Sequence, residues 1–164
     1  MSKRINFNDV QSKAYDAMDA LDRFVAEASI DKLHKEFIKI RASQINGCAY
    51  CVDSHSHDAL KLEASLQKVL LISAWREAKN IFSEEEQLLF RMTEEITLIH
   101  QHGLSDDTYQ NAIHLFGEEK TAQIIMAIIT INAWNRIGVA TELRPPHRRK
   151  EPGINQLKND VLCH

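Results

Sequence analysis

Glycine and proline are scarce in this chain, which has 5 Gly and 3 Pro among its 164 residues. An all-β fold needs many turns, and turns depend on these two residue types, so the scarcity disfavours such a fold. Residues 1–7 lack the apolar core of a signal peptide. The sequence also lacks the roughly 18 consecutive apolar residues of a membrane span. We therefore expect an all-α protein of the cytoplasm that has no membrane partner.

Neither sign of charge dominates, and the net charge of −3 gives no reason to expect nucleic acid as a partner. The length fits one domain, in which 44% hydrophobic residues can form a core. We predict one helical domain over residues 1–146, followed by a polar tail at 147–164 in which Cys163 is dispensable. Apolar helices often bury faces against copies of themselves, so we also expect a homo-oligomer, either a dimer, a trimer or a hexamer.

Capping residues and apolar spacing predict where the helices lie. Ser83 and Glu86 have the spacing of a capping box, and Gly103 and Gly117 have the conformational freedom to end helices. The predicted helices begin at Asn8 or Asp9, Asp31, Cys48, Ser65, Ser83, Ser105 and Glu118. The three that begin at Cys48, Ser65 and Ser83 should end near residues 64, 79 and 103, and the last helix near Thr141. The absence of alternating strands and helices excludes a thioredoxin-like sheet.

Cysteine is equally scarce, yet two of the 3 cysteines, Cys48 and Cys51, lie close together. Steps of three and four residues place Cys48, Cys51 and His55 on one face of a helix. Asn46 and Gly47 are suited to the start of a helix, so Cys48 should open it. Free backbone N–H groups and the helix dipole favour thiolate at such a position, which indicates a redox site.

Other interpretations of the cysteine pair remain open from the residues alone. The pair could be two small buried apolar residues, or part of a metal site with His57 or Glu36 as further ligands. A c-type haem site is excluded, because Val52 and not histidine follows the second cysteine. A structural disulfide is disfavoured over so short a loop in a reducing compartment. A disulfide reductase, a redox sensor and a metal-binding or purely structural oligomer are therefore alternatives to an enzyme that consumes an oxidant.

The most apolar helix contains a polar group of residues, Asn132, Asn135 and Arg136, on either side of Trp134. Unpaired Asn and Arg are expensive to bury. We interpret these residues as a structural hydrogen-bond network and not as direct participants in chemistry.

Residues 36–59 carry the pattern Glu-x4-Arg-x-Ser-Gln-Ile-Asn-Gly-Cys-x-Tyr-Cys-x3-His-x3-Ala. With residues 74–78 (Ala-Trp-Arg-Glu-Ala) and 131–136 (Ile-Asn-Ala-Trp-Asn-Arg), this pattern resembles the alkylhydroperoxidase D-like (AhpD-like) branch of the carboxymuconolactone decarboxylase superfamily. The decarboxylases of that superfamily lack the cysteine pair. The resemblance implies an all-helical fold that oligomerises and a thiol peroxidase with no cofactor and no metal. Its substrate would be a hydroperoxide, and an external dithiol, such as a lipoyl-bearing protein, would recharge it.

The resemblance also implies roles for individual residues. Cys48 and Cys51 would be the redox pair, and His55 and Glu36 would form a proton relay. Either cysteine could attack. Cys48 is nearer the helix start, which favours its thiolate, whereas Cys51 lies one turn before His55, which favours its deprotonation by a base. We expect Cys51 to attack and Cys48 to resolve. The disulfide between them should be partly exposed, so that a dithiol can reduce it. Tyr50 stands where the best-studied type of member has histidine, which predicts a shorter relay or a weaker peroxidase.

Overall fold

The computed structural model describes residues 4–147, and every regular element in that range is helical. The helices are α1 (Phe7–Val10), α2 (Ser12–Glu27), α3 (Lys32–Asn46), α4 (Ala49–Lys61), α5 (Leu66–Leu71), α6 (Glu84–Thr97) and α7 (Asp106–Ala140), and a 3-10 turn, Ile72–Ala74, follows α5. The predicted all-α fold is confirmed. None of the helices in residues 4–147 has both the length and the apolar character that crossing a membrane requires. Cys163 and most of the predicted tail lie outside the described residues.

Several of the predicted caps are present. The Asp31 carboxylate accepts hydrogen bonds from the backbone N–H groups of Leu33 and His34 at the start of α3. Ser83 and Glu86 form the capping box of α6. Gly117 interrupts α7 with φ of 76° and ψ of 168°, so α7 consists of two helical segments that meet where a break was predicted. A positive φ at this position favours glycine, because a Cβ would be strained there.

Three predicted boundaries are wrong. The first cap is Asn6 and not Asn8 or Asp9, and a non-helical residue, Gln11, separates the short α1 from α2. The fourth predicted helix, which corresponds to α5, ends at Leu71 and not near residue 79. The chain turns after it, and the side chains of Trp75 and Arg76 contact Glu94. The fifth predicted helix, which corresponds to α6, ends at Thr97, six residues before Gly103. Gly103 instead follows the turn after α6, with φ of 70°.

α3 lies at the centre of the molecule and contributes to two hydrophobic clusters. Ile38 and Ala42 pack with side chains of α6 and α7 in the larger cluster. Phe37 and Ile40 pack in the second cluster, with Trp75 and Phe90 among their neighbours. All four of these α3 side chains are fully buried. Because both sides of α3 are covered, the polar side chains of Lys35, Glu36 and Ser43 are buried as well.

A buried amide network fixes the end of α3 against α7. The Asn46 amide nitrogen donates to the side-chain oxygens of Asn132 and Asn135, at 2.9 and 3.0 Å. The Asn135 amide nitrogen donates to the Ser43 hydroxyl, and Arg136 donates to the backbone and side-chain oxygens of Asn132. These bonds show that the polar group on α7 forms a hydrogen-bond network. They also hold in place the segment that leads into Cys48.

A second buried network surrounds Glu94 on α6. Its carboxylate accepts hydrogen bonds from Trp75 Nε1, at 2.8 Å, and from Arg41, whose Nη2 lies 2.7 Å from Oε1, and it also pairs with Arg76. Burial raises the pKa of the Glu94 carboxyl group, but the bonds from Trp75, Arg76 and Arg41 outweigh this effect and hold the pKa below its ordinary value. The Trp-Arg motif of residues 75 and 76 is therefore anchored to the core of the fold.

Candidate active site

The connection between α3 and α4 positions the cysteine pair. Gly47 ends α3 in the left-handed conformation, with φ of 69°, and the backbone N–H of Cys48 then bonds to the Ser43 carbonyl at 3.0 Å. This pattern is the Schellman motif, which reverses the chain sharply and favours glycine at the left-handed position. Cys48 becomes the N-cap of α4, and its Sγ accepts a hydrogen bond from the backbone N–H of Cys51. The prediction that Cys48 opens a helix is confirmed.

Cys48 and Cys51 are joined by a disulfide, so the geometry of the chain permits the oxidised form of the pair. Only 2% of Cys48 and 6% of Cys51 is exposed. The expectation of a partly exposed disulfide is therefore wrong for the protomer. The reason is a contact that local spacing does not reveal: the last turn of α7, at Gly138, packs directly over both sulfur atoms.

Glu36 on α3 reaches the face of α4 that carries His55. His55 Nδ1 lies 2.8 Å from Glu36 Oε2, and Lys39 Nζ lies 2.8 Å from the other carboxylate oxygen. A charged carboxylate only accepts hydrogen bonds, so Nδ1 carries the hydrogen when His55 is neutral, and Nε2 is left as the basic atom. His55 follows Cys51 by one helical turn. The packing of α3 against α4 thus assembles Glu36, His55 and Cys51 in one region.

The Glu36 carboxylate remains charged despite its burial. Burial raises the pKa of this group, but the hydrogen bond from His55 and the charge of Lys39 outweigh that effect and hold the pKa below its ordinary value. A negative Glu36 can orient the imidazole of His55 and can stabilise an imidazolium that forms there.

Cys51 and His55 both line a cleft of about 640 Å³, and Cys48 does not. One wall is apolar and includes Ile131, Trp134 and Leu143. The remaining lining residues come from the N-terminal segment, α2, α3, α4 and α7: Asn6, Phe7, Asn8, Tyr15, Asp19, Asp22, Val25, Ala26, Lys35, Lys39, Tyr50, Ser54, Ala127, Thr130, Ile137 and Thr141. The cleft therefore joins a thiol site to a space large enough for an organic molecule.

Arg4 holds the N-terminal segment beside the cleft. Its guanidinium donates to the Ala140 carbonyl at 2.7 Å and pairs with the Glu142 carboxylate at 2.7 Å. Glu142 itself has a left-handed backbone, with φ of 56°, in the turn that ends α7. Phe7 and Thr141 consequently form neighbouring parts of the cleft wall.

Tyr50 lies at the cleft beside Cys51 and is 39% exposed. The two oxygens of Glu36 bond to His55 and Lys39, so Tyr50 is outside the hydrogen-bonded pair. Elsewhere in the cleft lining, the Trp134 indole N–H donates to Asp22 Oδ2 at 2.7 Å, and Tyr15 packs edge-on against Trp134. Burial raises the pKa of the Asp22 carboxyl group above its ordinary value, and the hydrogen bond from Trp134 offsets only part of this increase.

The group that comes closest to a metal site among residues 4–147 comprises Glu36, His55 and Asp58. A lysine ammonium already bonds to each carboxylate, Lys39 to Glu36 and Lys61 to Asp58. The group includes neither cysteine, and the sulfurs of Cys48 and Cys51 are joined in a disulfide.

The comparison with known protein families identifies the chain. The model of the carboxymuconolactone decarboxylase family matches residues 12–94, which include α3, α4 and the cysteine pair. The chain belongs to the carboxymuconolactone decarboxylase family. This match confirms the superfamily to which the sequence motifs pointed.

Two relatives indicate the branch of the family to which this chain is most similar. The uncharacterised protein YdfG of Bacillus subtilis (strain 168) is 34% identical over 140 residues, which cover 85% of this chain and 95% of that protein. A crystal structure of an Agrobacterium tumefaciens protein of unknown function, whose description proposes an AhpD antioxidant defence role, is 34% identical and has a TM-score of 0.86. The aligned region covers 90% of this chain and 100% of the Agrobacterium tumefaciens chain. This similarity supports the AhpD-like branch of the family.

A more distant structure shares the fold. The crystal structure of an uncharacterised peroxidase-related protein from Silicibacter sp. TM1040 is 20% identical and has a TM-score of 0.73. The aligned region covers 83% of this chain and 72% of that one.

Three residues at this site were not predicted from the sequence. Lys39 could have been found, because it stands three residues after Glu36 on the same predicted helix, the spacing at which opposite charges pair. Asp22 and Gly138 carry no such local signal. Asp22 comes to the cleft through its bond to Trp134, and Gly138 meets the sulfurs only because α7 packs across the start of α4.

Proposed function

We propose that this protein is a thiol-dependent peroxidase that reduces organic hydroperoxides with Cys48 and Cys51 and is recharged by an external dithiol. The observation that carries the proposal is the cleft in which Cys51 lies one helical turn from His55, whose other ring nitrogen bonds to Glu36. The disulfide between Cys48 and Cys51 supplies the oxidised state that the cycle requires.

The cycle begins with the reduced pair. A free thiol has a pKa near 8.5, so only a few per cent of it is thiolate at neutral pH. His55 Nε2 accepts the proton of Cys51, and Glu36, bonded to Nδ1, stabilises the resulting imidazolium. The thiolate of Cys51 is then the nucleophile.

The thiolate attacks the distal oxygen of the hydroperoxide. An S–O bond forms and the O–O bond breaks, so Cys51 becomes a sulfenic acid and the substrate is reduced by two electrons to an alkoxide. The alkoxide takes the proton held by the His55 imidazolium and leaves as an alcohol. Hydrogen peroxide would react in the same way and release water.

Cys48 resolves the sulfenic acid. Its sulfur bonds to the Cys51 sulfur, the S–O bond breaks, and the released hydroxide combines with the thiol proton to form water. An external dithiol then reduces the disulfide and is itself oxidised to a disulfide. The backbone N–H of Cys51, which bonds to the Cys48 sulfur, stabilises Cys48 as the leaving thiolate in that exchange.

The surroundings of the two cysteines support Cys51 as the attacking residue. Both cysteines are buried, but Cys51 lines the cleft and Cys48 does not. The size of the cleft and its apolar wall favour an organic hydroperoxide over hydrogen peroxide. The AhpD role proposed for the Agrobacterium tumefaciens relative supports antioxidant chemistry of this kind.

The proposal predicts that consumption of cumene hydroperoxide depends on both paired cysteines. Cys51→Ser and Cys48→Ser should each lower the steady-state rate, measured with dihydrolipoamide as reductant, by about 100-fold or more, because each removes a covalent step. Cys163→Ser is the matched control and should retain the wild-type rate. Cys48→Ser should still react once with peroxide and accumulate a sulfenic acid that dimedone traps.

The same assay separates the alternatives. A wild-type protein whose disulfide exchanges with dithiols but which consumes no hydroperoxide would be a disulfide reductase or a redox sensor. A pair that stays reduced under peroxide would contradict every redox function proposed for it. Because the family also includes decarboxylases, loss of carbon dioxide from a γ-carboxymuconolactone should be measured in parallel, and we expect none.

A further inference from the structure

The last turn of α7 lies directly on the redox pair. A Cβ atom built on Gly138 would stand 3.1 Å from Cys48 Sγ and 3.7 Å from Cys51 Sγ. Non-bonded heavy atoms of this kind are most stable at about 3.5–4.0 Å. A methyl group at position 138 would therefore press on the Cys48 sulfur and only touch the Cys51 sulfur.

The helix itself gives no reason for glycine at this position. Gly138 lies inside α7 and is not among the glycines of positive φ, so alanine can adopt the same backbone. Alanine is also the better helix former. The feature that requires glycine is thus the space that Cys48 Sγ occupies.

We propose that Gly138 is a positioning residue of the redox pair: its missing side chain leaves the space in which Cys48 Sγ bonds to Cys51. The importance of this role for turnover rests on the proposed peroxidase function. The role itself concerns the disulfide and can be measured without any peroxide.

The two redox states should respond differently to a side chain at position 138. In the dithiol, each cysteine rotates about χ1, and the two sulfurs separate to ordinary contact distance. In the disulfide, the bond fixes Cys48 Sγ beneath α7. A methyl group would therefore destabilise the disulfide selectively, because only the dithiol can move its sulfur away.

The test is Gly138→Ala, equilibrated with mixtures of reduced and oxidised dithiothreitol. Overpacking a well-packed site typically costs enough to shift an equilibrium about tenfold. We therefore expect the dithiol to be favoured by about tenfold, which raises the reduction potential of this two-electron couple by about 30 mV. Val139→Ala is the control. Val139 is the next residue in α7, its side chain is 48% exposed, and its replacement should leave the reduction potential unchanged.

Thermal unfolding of both redox states separates positioning from simple packing. We expect Gly138→Ala to lower the melting temperature of the oxidised protein while the reduced protein is unchanged or more stable. In single turnover with peroxide, formation of the Cys51 sulfenic acid should keep its rate, and its conversion to disulfide should slow. The longer-lived sulfenic acid would then be oxidised further to sulfinic acid, which mass spectrometry detects.

Two results would overturn the proposal: an unchanged potential, or equal destabilisation of the oxidised and reduced forms. If Gly138→Ala does not fold, Cys48→Ala and Cys48→Ala/Gly138→Ala form a cycle that removes the sulfur. The double variant should be at least as stable as Cys48→Ala, and a clear loss would contradict the inference. A wild type without peroxidase activity would refute the proposed function but would leave the measured potential as a test of Gly138.

Discussion

At the scale of single residues, Glu36 is a buried carboxylate that bonds to the proposed catalytic histidine, His55. Its side chain is almost covered, and each carboxylate oxygen has one partner, His55 or Lys39. Lys39 bonds to Oε1, and His55 bonds to Oε2. Only 11% of the Glu36 side chain is exposed, so water screens its attraction for His55 only weakly.

We predict that His55→Ala slows peroxide reduction at pH 7 by about 10²-fold or more, because general-base assistance is typically worth about 10²- to 10⁴-fold. Glu36→Gln should have a smaller effect in the same direction, since a neutral amide stabilises the imidazolium less. Both changes should raise the pKa of the reactive thiol, measured from the alkylation rate of the reduced protein against pH.

Higher pH should restore part of both losses, because hydroxide then deprotonates Cys51 directly. His114→Ala, a change at an exposed histidine of α7, is the control and should behave as wild type. A thiol pKa that is the same in wild type, His55→Ala and Glu36→Gln would refute the relay and leave both residues with structural roles.

At the scale of elements, the orientation of α3 depends on charged groups as well as on the core. Arg41 extends from α3 to Glu94 on α6, and Trp75 and Arg76 reach the same carboxylate from the segment after the 3-10 turn. Glu94 thus joins three segments at one point. The same helix, α3, carries Glu36 and ends at the Gly47 turn that positions Cys48.

Replacing Glu94 with glutamine should lower the free energy of unfolding at pH 7 by about 3 kcal/mol, because it removes the charge that compensates two arginines. The Glu94 pKa is lower in the folded state than in the unfolded one. Its stabilisation is therefore complete above the unfolded pKa, near 4.3, and is lost as pH falls through the lower folded value.

The difference between wild type and Glu94→Gln, measured by urea unfolding from pH 7 downward, should accordingly shrink below about pH 4. Glu84→Gln, at the exposed start of α6, should cost no more than about 1 kcal/mol. A pH-independent difference would show that shape and not charge accounts for the effect of Glu94.

At the scale of the whole molecule, the protomer leaves large apolar side chains in contact with water. Leu70 and Ile99 are 67% and 69% exposed, and Leu143 is about half exposed just after α7. Burial of such side chains against a second copy would stabilise an assembly. We expect light scattering at micromolar concentration to give a multiple of 18.8 kDa. A mass of one chain would contradict the prediction of a homo-oligomer.

The sequence by itself determined the features that depend on near neighbours. The caps at Asp31, Ser83 and Ser105 follow from side chains that bond to N–H groups two or three residues away. The spacing of Cys48, Cys51 and His55 likewise places these residues on one helix, with Cys48 at its start. Interactions within one or two turns are fixed by helix geometry, so they can be predicted without knowledge of the packing.

Only the tertiary structure decided how distant segments meet. Glu36 had the same local pattern as a solvated glutamate of an amphipathic helix, and it is buried because α3 is covered on both sides. The burial of the disulfide, the partners of Glu94 and the contact of Gly138 with Cys48 arise in the same way. Each depends on which helix faces pack together. That arrangement minimises the free energy of the whole core, which is built from residues of many segments, so no single stretch of sequence determines it.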